Sequence, residues 1–359
     1  MKRVVFRVDA SLEMGSGHVM RCLNLADALS RGGGDYQVRF VCRDCLGYAV
    51  ELIRRRGFEL LLLPLHDEDA KPEPPPAYAA WLGVDRRVDA SDCMVALQGG
   101  VDLLVVDHYG IDARWETVMR RVARRILVID DLADREHNAD LLLDQNLVAR
   151  MDSRYTDLLP VRCRQMIGPE YALIDARFAE QPPVAPRSKV NRLFVFFGGS
   201  DLQNLTCRAL RELAALGLPG DVVIGSGNPH RAEVEQLCDG SAWCLHVQTS
   251  RMAELMVQAD LAVGAGGIAH WERCSVGLPA VVTAVAPNQV ETTAMLAGRH
   301  ACIDLGPGES LAPGAIAGAV KALCNDPVRL QSMSAHAHGV VPDAYGARRV
   351  VLAIEALWS

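Results

Sequence analysis

Two α/β domains, each an open parallel sheet covered by helices, are the fold class this sequence predicts. Three observations predict it. Short β-rich runs alternate with helix-length stretches along the chain. The runs lack polar alternation, as strands buried on both faces do. The pattern pauses at a Pro-rich segment, Gln181–Lys189 (QPPVAPRSK), and then restarts. A length of 359 residues agrees with two domains at roughly 100–200 residues each.

In the first half the strand candidates are Val4–Val8, Val38–Cys42, Glu59–Leu63, Asp102–Val106, Ile126–Ile129 and Leu141–Leu143. Helical stretches such as His18–Arg31 and Ala113–Arg124 fall between most of them. Within the first, Val19, Cys22, Leu23, Ala26 and Leu29 recur at intervals of three and four, so one stripe faces a sheet. After the Pro-rich segment the candidates are Leu193–Phe197, Asp221–Ile224, Trp243–Val247, Leu261–Val263, Ala280–Thr283 and Ala301–Ile303. Domains are therefore expected at 1–185 and 190–340, with a terminal segment, 341–359, whose helix Tyr345–Trp358 packs back on the first. A second Pro-rich patch, Lys71–Pro76, reads as a surface loop within the first domain.

Composition excludes several classes. Half the residues are hydrophobic and 23% are charged, which is too apolar for disorder. A net charge of −7 and a pI near 5.8 argue against a dedicated nucleic-acid binder, but not against a phosphorylated small molecule. No stretch reaches the ~20 apolar residues of a membrane helix, and Met1–Asp9 lacks a signal-peptide core. The expected location is the cytoplasm, with no membrane partner. The 11 scattered cysteines fit that compartment, and the C-x-x-C at Cys42 and Cys45 has no second pair to complete a metal site.

Ligands of open α/β sheets bind outside the carboxyl ends of the strands, and two such domains facing each other place the ligand in the cleft between them. Five loops stand out. The first runs from Asp9 through Gly15-Ser16-Gly17 to His18 and Arg21. His18 falls in the first turn of a helix, whose positive end favours the uncharged ring a general base needs. Asp9 is expected to hold its other ring nitrogen; an incidental exposed His on a capping turn is the alternative. The second loop, Gly198-Gly199-Ser200-Asp201 with Asn204, offers helix-start N–H groups and side chains to a diphosphate, although it is no Walker loop. The third, Gly264-Ala265-Gly266-Gly267, leads into a helix carrying Glu272, a carboxylate suited to the vicinal hydroxyls of a ribose. The fourth, Ala286-Pro287-Asn288-Gln289, presents two amides to a sugar or amide-bearing ligand. The fifth combines Asp107-His108-Tyr109 with Asp130-Asp131 and reads as polar cleft lining rather than a metal site.

The run RVDASLEMGSGHVMRCLNLADAL resembles the UDP-2,4-diacetamido-2,4,6-trideoxy-β-L-altropyranose hydrolases of pseudaminic acid biosynthesis. LLVVDHYGID, ILVIDDLADREHNADLLLDQN, YALIDARF, FFGGSD and GAGGIAHWERCSVGLP resemble the rest of that family in the same order, over roughly Arg3 to Val351. The G-S-G-H-V-M-R segment, with Gly17 and Arg21, is the most specific element, whereas GAGG…WE…GLP is shared with GT-B transferases including the MurG family. The resemblance implies a GT-B fold, two Rossmann-like domains facing across a cleft, and removal of UDP from the sugar without metal or cofactor. It implies that His18 is the base activating water, Tyr109 a cleft tyrosine, Glu272 the ribose carboxylate and Asn288 a substrate contact. Gly199, Ser200 and Asn204 are expected at the diphosphate, Val247 at the uracil, and Gly266, Gly267 and Gln289 around the rest of the ligand. The chain departs from compact relatives in the insert Lys71–Asp92 and the tail after Val340. A GT-B glycosyltransferase and a non-catalytic nucleotide-sugar binder are the alternatives.

Overall fold

A computed structural model describes residues 1–11, 14–43, 48–66 and 76–358. Cys45 and residues 71–75 of the second Pro-rich patch lie outside these. The chain divides into two compact units: Met1–Asn146, Arg150–Leu173 and Gly346–Ser359 form one, and Leu147–Ala149 with Ile174–Tyr345 form the other.

The first unit contains β1 (Lys2–Val8), α1 (Gly17–Arg31), β2 (Tyr36–Arg43), α2 (Tyr48–Arg55), β3 (Glu59–Leu63), α3 (Arg86–Ala96) and β4 (Val101–Asp107). It continues with α4 (Ala113–Met119), β5 (Ala123–Ile129), β6 (Leu141–Asp144) and β7 (Arg164–Ile167). All seven strands pair in parallel in the order β3-β2-β1-β4-β5-β6-β7. Alternate residues of β1 serve opposite cores. Val4, Phe6 and Val8 pack with Val19, Leu23 and Ala26 of α1, while Val5 joins Ala90, Leu104 and Trp115 on the other face. The central strands are thus apolar on both sides, which is why their sequences lack alternation. The strand β7, RQMI, carries only two apolar residues and escapes a hydrophobicity reading; it takes the sheet edge. The helix α4 stops at Met119, short of the expected Arg124, because Ala123 already belongs to β5.

The second unit contains β8 (Leu193–Phe196), α5 (Leu205–Leu213), β9 (Gly220–Ile224), α6 (Arg231–Cys238), β10 (Trp243–Val247), α7 (Met252–Gln258) and β11 (Leu261–Ala265). It continues with α8 (Ile268–Ser275), β12 (Ala280–Ala284), α9 (Pro287–Gly298), β13 (Cys302–Pro307), α10 (Ala315–Cys324) and α11 (Pro327–Val340). Its six strands are also all parallel, in the order β10-β9-β8-β11-β12-β13. The final helix, α12 (Gly346–Glu355), belongs to the first unit, where Val350, Val351 and Ile354 share the core of α1. Burying each such side chain contributes about 1.5–3 kcal/mol.

The handover between units falls at Leu173–Ile174, ahead of the Pro-rich segment. Gln181–Lys189 is part of the second unit because Arg187 is buried there. Its guanidinium donates to the carbonyl oxygens of Ala259 (3.3 Å) and Met256 (3.3 Å), and burial pushes its pKa down to about 10.

Candidate functional site

In the first sheet the chain order reverses between β1 and β4, and their carboxyl ends lie side by side, with Val8 opposite Asp107. A switch of this kind leaves a crevice at the strand ends. α1 starts above it and brings His18 over Asp107. His18 Nδ1 lies 2.6 Å from Asp107 Oδ1. Arg21, one turn further along α1, grips the same carboxylate with Nε on Oδ2 (2.6 Å) and a terminal nitrogen on Oδ1 (2.6 Å). Burial pushes the Asp107 carboxyl up, but Arg21 and then His18 outweigh it and hold it well below the usual carboxylate range.

An ionised carboxylate only accepts, so His18 Nδ1 carries the proton and donates it to Asp107. The nearby Arg21 nitrogen, 3.2 Å from Nδ1, is itself a donor and does not change the assignment. In the neutral ring the lone pair therefore sits on Nε2, for which no described residue is a partner. Tyr109 stands edge-on to the imidazole at 4.6 Å between ring centroids; Trp81 stacks on Tyr109 at 5.7 Å and Tyr78 lies tilted beside it at 5.4 Å. Tyr109 bonds Asp131, which also accepts from Arg21 (3.0 Å). Trp81 and Tyr78 come from the insert the sequence left without a role.

The expectation for Asp9 is corrected: it does not touch His18. The neighbouring guanidinium of Arg7 is fully buried and needs counter-charge, so Asp9 accepts from Arg7 (2.5 Å), from the Arg43 backbone N–H (2.7 Å), and faces His108 Nε2 (3.3 Å). Asp89 completes that network with two bonds from Arg7 (2.7 and 3.3 Å). The reading of Asp107 and Asp130 as cleft lining is corrected likewise. Asp107 and Asp130 are completely buried, and Asp130 pairs with Arg135 at 2.9 Å. Among the described residues, three potential metal ligands gather at Asp221, Cys244 and His246. Both Asp221 oxygens there are already engaged, by Arg192 (2.7 Å) and His246 (2.8 Å).

In the second sheet the order reverses between β8 and β11, so the Gly199–Ser200 and Gly266–Gly267 loops are neighbours. Gly199 and Ser200 are half-buried at the end of β8. The helix start that follows is not open. Asp201 accepts from the N–H groups of Leu205 (2.9 Å) and Thr206 (2.8 Å), and a carboxylate in that position excludes a phosphate. Asn204 turns away to donate to Glu233 at 2.7 Å. Its expected diphosphate role is therefore corrected. The start of α8 differs. Gly267 takes a left-handed φ of 72°, and the N–H groups of Gly267, Ile268 and Ala269 have no partner among the described residues. That is an open anion-binding end.

Glu272, one turn into α8, is 8% exposed, and no described residue donates to its carboxylate. Burial, then Asp175, push its pKa up to about 7 against Arg273 and Arg177. Gln289, in the first turn of α9, uses Oε1 to accept from Gly266 N–H (3.2 Å) and Val285 N–H (3.1 Å), leaving Nε2 to donate. Asn288 is half-buried beside it. Val247 ends the edge strand β10, opposite Ile224. Sequence reasoning missed His270, Arg273 and Thr293, which are buried behind this loop. The available signal was the spacing of His270 and Arg273, three apart on the helix that carries Glu272.

Two units of parallel α/β structure define the GT-B fold. The MurG of Acinetobacter baumannii superposes with a TM-score of 0.62 at 16% identity, covering 99% of this chain and 100% of that one. Phytolacca americana UGT2, solved with UDP-2-fluoro-glucose and pterostilbene, gives 0.69 at 13% identity and covers all of both chains. In sequence the chain is similar to the UDP-2,4-diacetamido-2,4,6-trideoxy-β-L-altropyranose hydrolase of Campylobacter jejuni, 28% identical over 237 residues, 65% of this chain and 73% of the relative. No protein-family model matches the chain. No helix among the described residues is long and apolar enough to cross a membrane.

Proposed function

We propose that the protein hydrolyses a UDP-linked 2,4-diacetamido-2,4,6-trideoxyhexose, the class of substrate named for its Campylobacter jejuni relative, in pseudaminic acid biosynthesis. The observation that carries this reading is the His18–Asp107 pair: a ring fixed at Nδ1 by a buried carboxylate, with Nε2 left as a base. Nucleotide binding rests on the second unit. The open N–H groups at Gly267, Ile268 and Ala269 donate to the diphosphate, Glu272 takes the ribose hydroxyls, and the Val247 strand end meets the uracil. Gly199, Ser200, Asn288 and Gln289 complete the surroundings of the ligand.

In the reaction, His18 Nε2 takes a proton from water, and the oxygen bonds to the anomeric carbon. The bond from that carbon to the diphosphate oxygen breaks, and its electron pair leaves with UDP. Asp107 steadies the imidazolium that forms, and the α8 end steadies the departing charge. Attack opposite the leaving group inverts the anomeric carbon. No metal or cofactor takes part in this scheme.

A panel of UDP-diacetamido-trideoxyhexoses, with UDP-N-acetylglucosamine as control, tests the proposal. UDP release from a diacetamido substrate in buffer alone is expected. Release only when an acceptor alcohol is added would make the protein a transferase, the activity of the MurG-like neighbours. Binding without release would make it a nucleotide-sugar binder.

The Glu272 carboxyl gives a pH prediction. Its folded pKa, about 7, lies above its ordinary 4.5. Below about pH 7 the free protein holds a proton there that two ribose hydroxyl bonds must displace. UDP affinity should therefore fall about tenfold per pH unit on acidification below about 7. Titration calorimetry of wild type against Glu272→Gln, which cancels the titration of the phosphate itself, reads the effect. Parallel pH profiles for the two proteins would remove Glu272 from the ribose.

A further inference from the structure

Behind the Gly266 loop runs a chain of hydrogen bonds whose polarity is fixed at every step. One Arg273 nitrogen donates to Ala265 O (2.9 Å) and also reaches His270 Nδ1 (3.1 Å). A guanidinium only donates, so Nδ1 accepts and His270 carries its proton on Nε2. That Nε2–H points at Thr293 Oγ1 (3.1 Å), whose own hydroxyl donates to Gln289 O (2.7 Å). The Gln289 side chain then closes the circuit, because its Oε1 accepts from Gly266 N–H. His270 is fully buried, and burial, then Arg273, hold its pKa well below the usual value, so the ring stays neutral.

The circuit pins the Ala265–Gly266 peptide region from both sides. It also leaves no room for a side chain: a Cβ on Gly266 would lie 2.9 Å from His270 Nε2 and 3.0 Å from Gln289 Oε1. With both oxygen lone pairs spent on backbone N–H groups, Gln289 presents only its NH2, close to Gly267, where a Cβ would lie 3.7 Å from Nε2.

We propose that Arg273, His270 and Thr293 are positioning residues that lock Gln289 as an obligate donor beside the α8 start, so that this corner accepts a ligand oxygen such as a phosphoryl or amide carbonyl oxygen. The inference rests on the nucleotide reading above, and it adds three residues that reach the ligand only through Gln289 and the Ala265–Gly266 peptide.

Thr293→Val and Thr293→Ser test it. Valine keeps the shape and removes the hydroxyl; serine keeps the hydroxyl. Losing the relay is expected to weaken UDP binding about tenfold in Thr293→Val, the effect of about one hydrogen bond, with Thr293→Ser restoring affinity to within about twofold. A ligand-free measurement runs alongside: amide hydrogen exchange at Gly266 and Val285 should quicken in Thr293→Val and not in Thr293→Ser. Wild-type exchange and wild-type UDP affinity in Thr293→Val would overturn the proposal. Should that variant not fold, Arg273→Met, which keeps the apolar stem but removes every donor to Ala265 O and His270 Nδ1, should show the same two changes; its silence would be equally fatal. If exchange responds as expected while wild type binds no UDP, the relay stands and the nucleotide reading falls.

Discussion

His18→Asn is expected to lose about 10²–10⁴-fold in turnover while binding UDP as wild type does. The carbonyl of asparagine can neither take up a proton from water nor hand it on. The nucleotide groups proposed for binding, the α8 start and Glu272, belong to the other compact unit and are untouched by the change. Steady-state UDP release beside UDP titration calorimetry separates the two effects. Equal loss of turnover and binding would make His18 a ligand contact or a structural residue rather than a base.

Asp107→Asn is expected to damage both turnover and the fold. The carboxylate accepts three bonds, from His18 and twice from Arg21, and Cys22 Sγ lies 3.5 Å from it. Whichever way an amide turns, its NH2 meets a donor, and Arg21 keeps only Asp131 as a charged partner. Breaking such a buried pair costs about 3–5 kcal/mol. Turnover per folded molecule should fall about 10²-fold or more, because the ring loses the contact that places its lone pair on Nε2. The pH dependence has a definite sign. The Asp107 pKa is depressed in the fold, so its contribution is present above the ordinary value of 3.8 and is lost as pH falls through the lower folded value. Asp107→Asn should therefore remove part of the acid sensitivity of thermal unfolding. An unchanged melting temperature and unchanged turnover would show that Asp107 neither holds Arg21 nor orients His18.

Much of the fold was legible because each central strand is buried on both faces and stands out as an apolar run. Elements were misread where that signal fades, in β7 with its two apolar residues and at the end of α4, where strand follows helix after three residues. His18 was legible because a strand, two glycines and a helix start sit together in the chain. Its partner was not. Asp107 is 89 residues away, and only the sheet order, with β4 beside β1, makes them neighbours. Asp9 was nearer in sequence but was already committed to the buried Arg7, a demand that does not show until the guanidinium is seen inside. Asn204 failed for a comparable reason. Asp201, four residues ahead of the helix, fills the anion site with the chain's own carboxylate. Glu272 is buried with no donor among the described residues, which leaves its carboxylate open to the ribose hydroxyls proposed for it.

The central claim, water delivered by His18 to the anomeric carbon, is tested most directly by turnover of a UDP-diacetamido-trideoxyhexose in heavy-oxygen water, with mass spectrometry of both products. One heavy oxygen in the released sugar and none in UDP is the predicted result. Label in UDP would place the attack at phosphorus and contradict it.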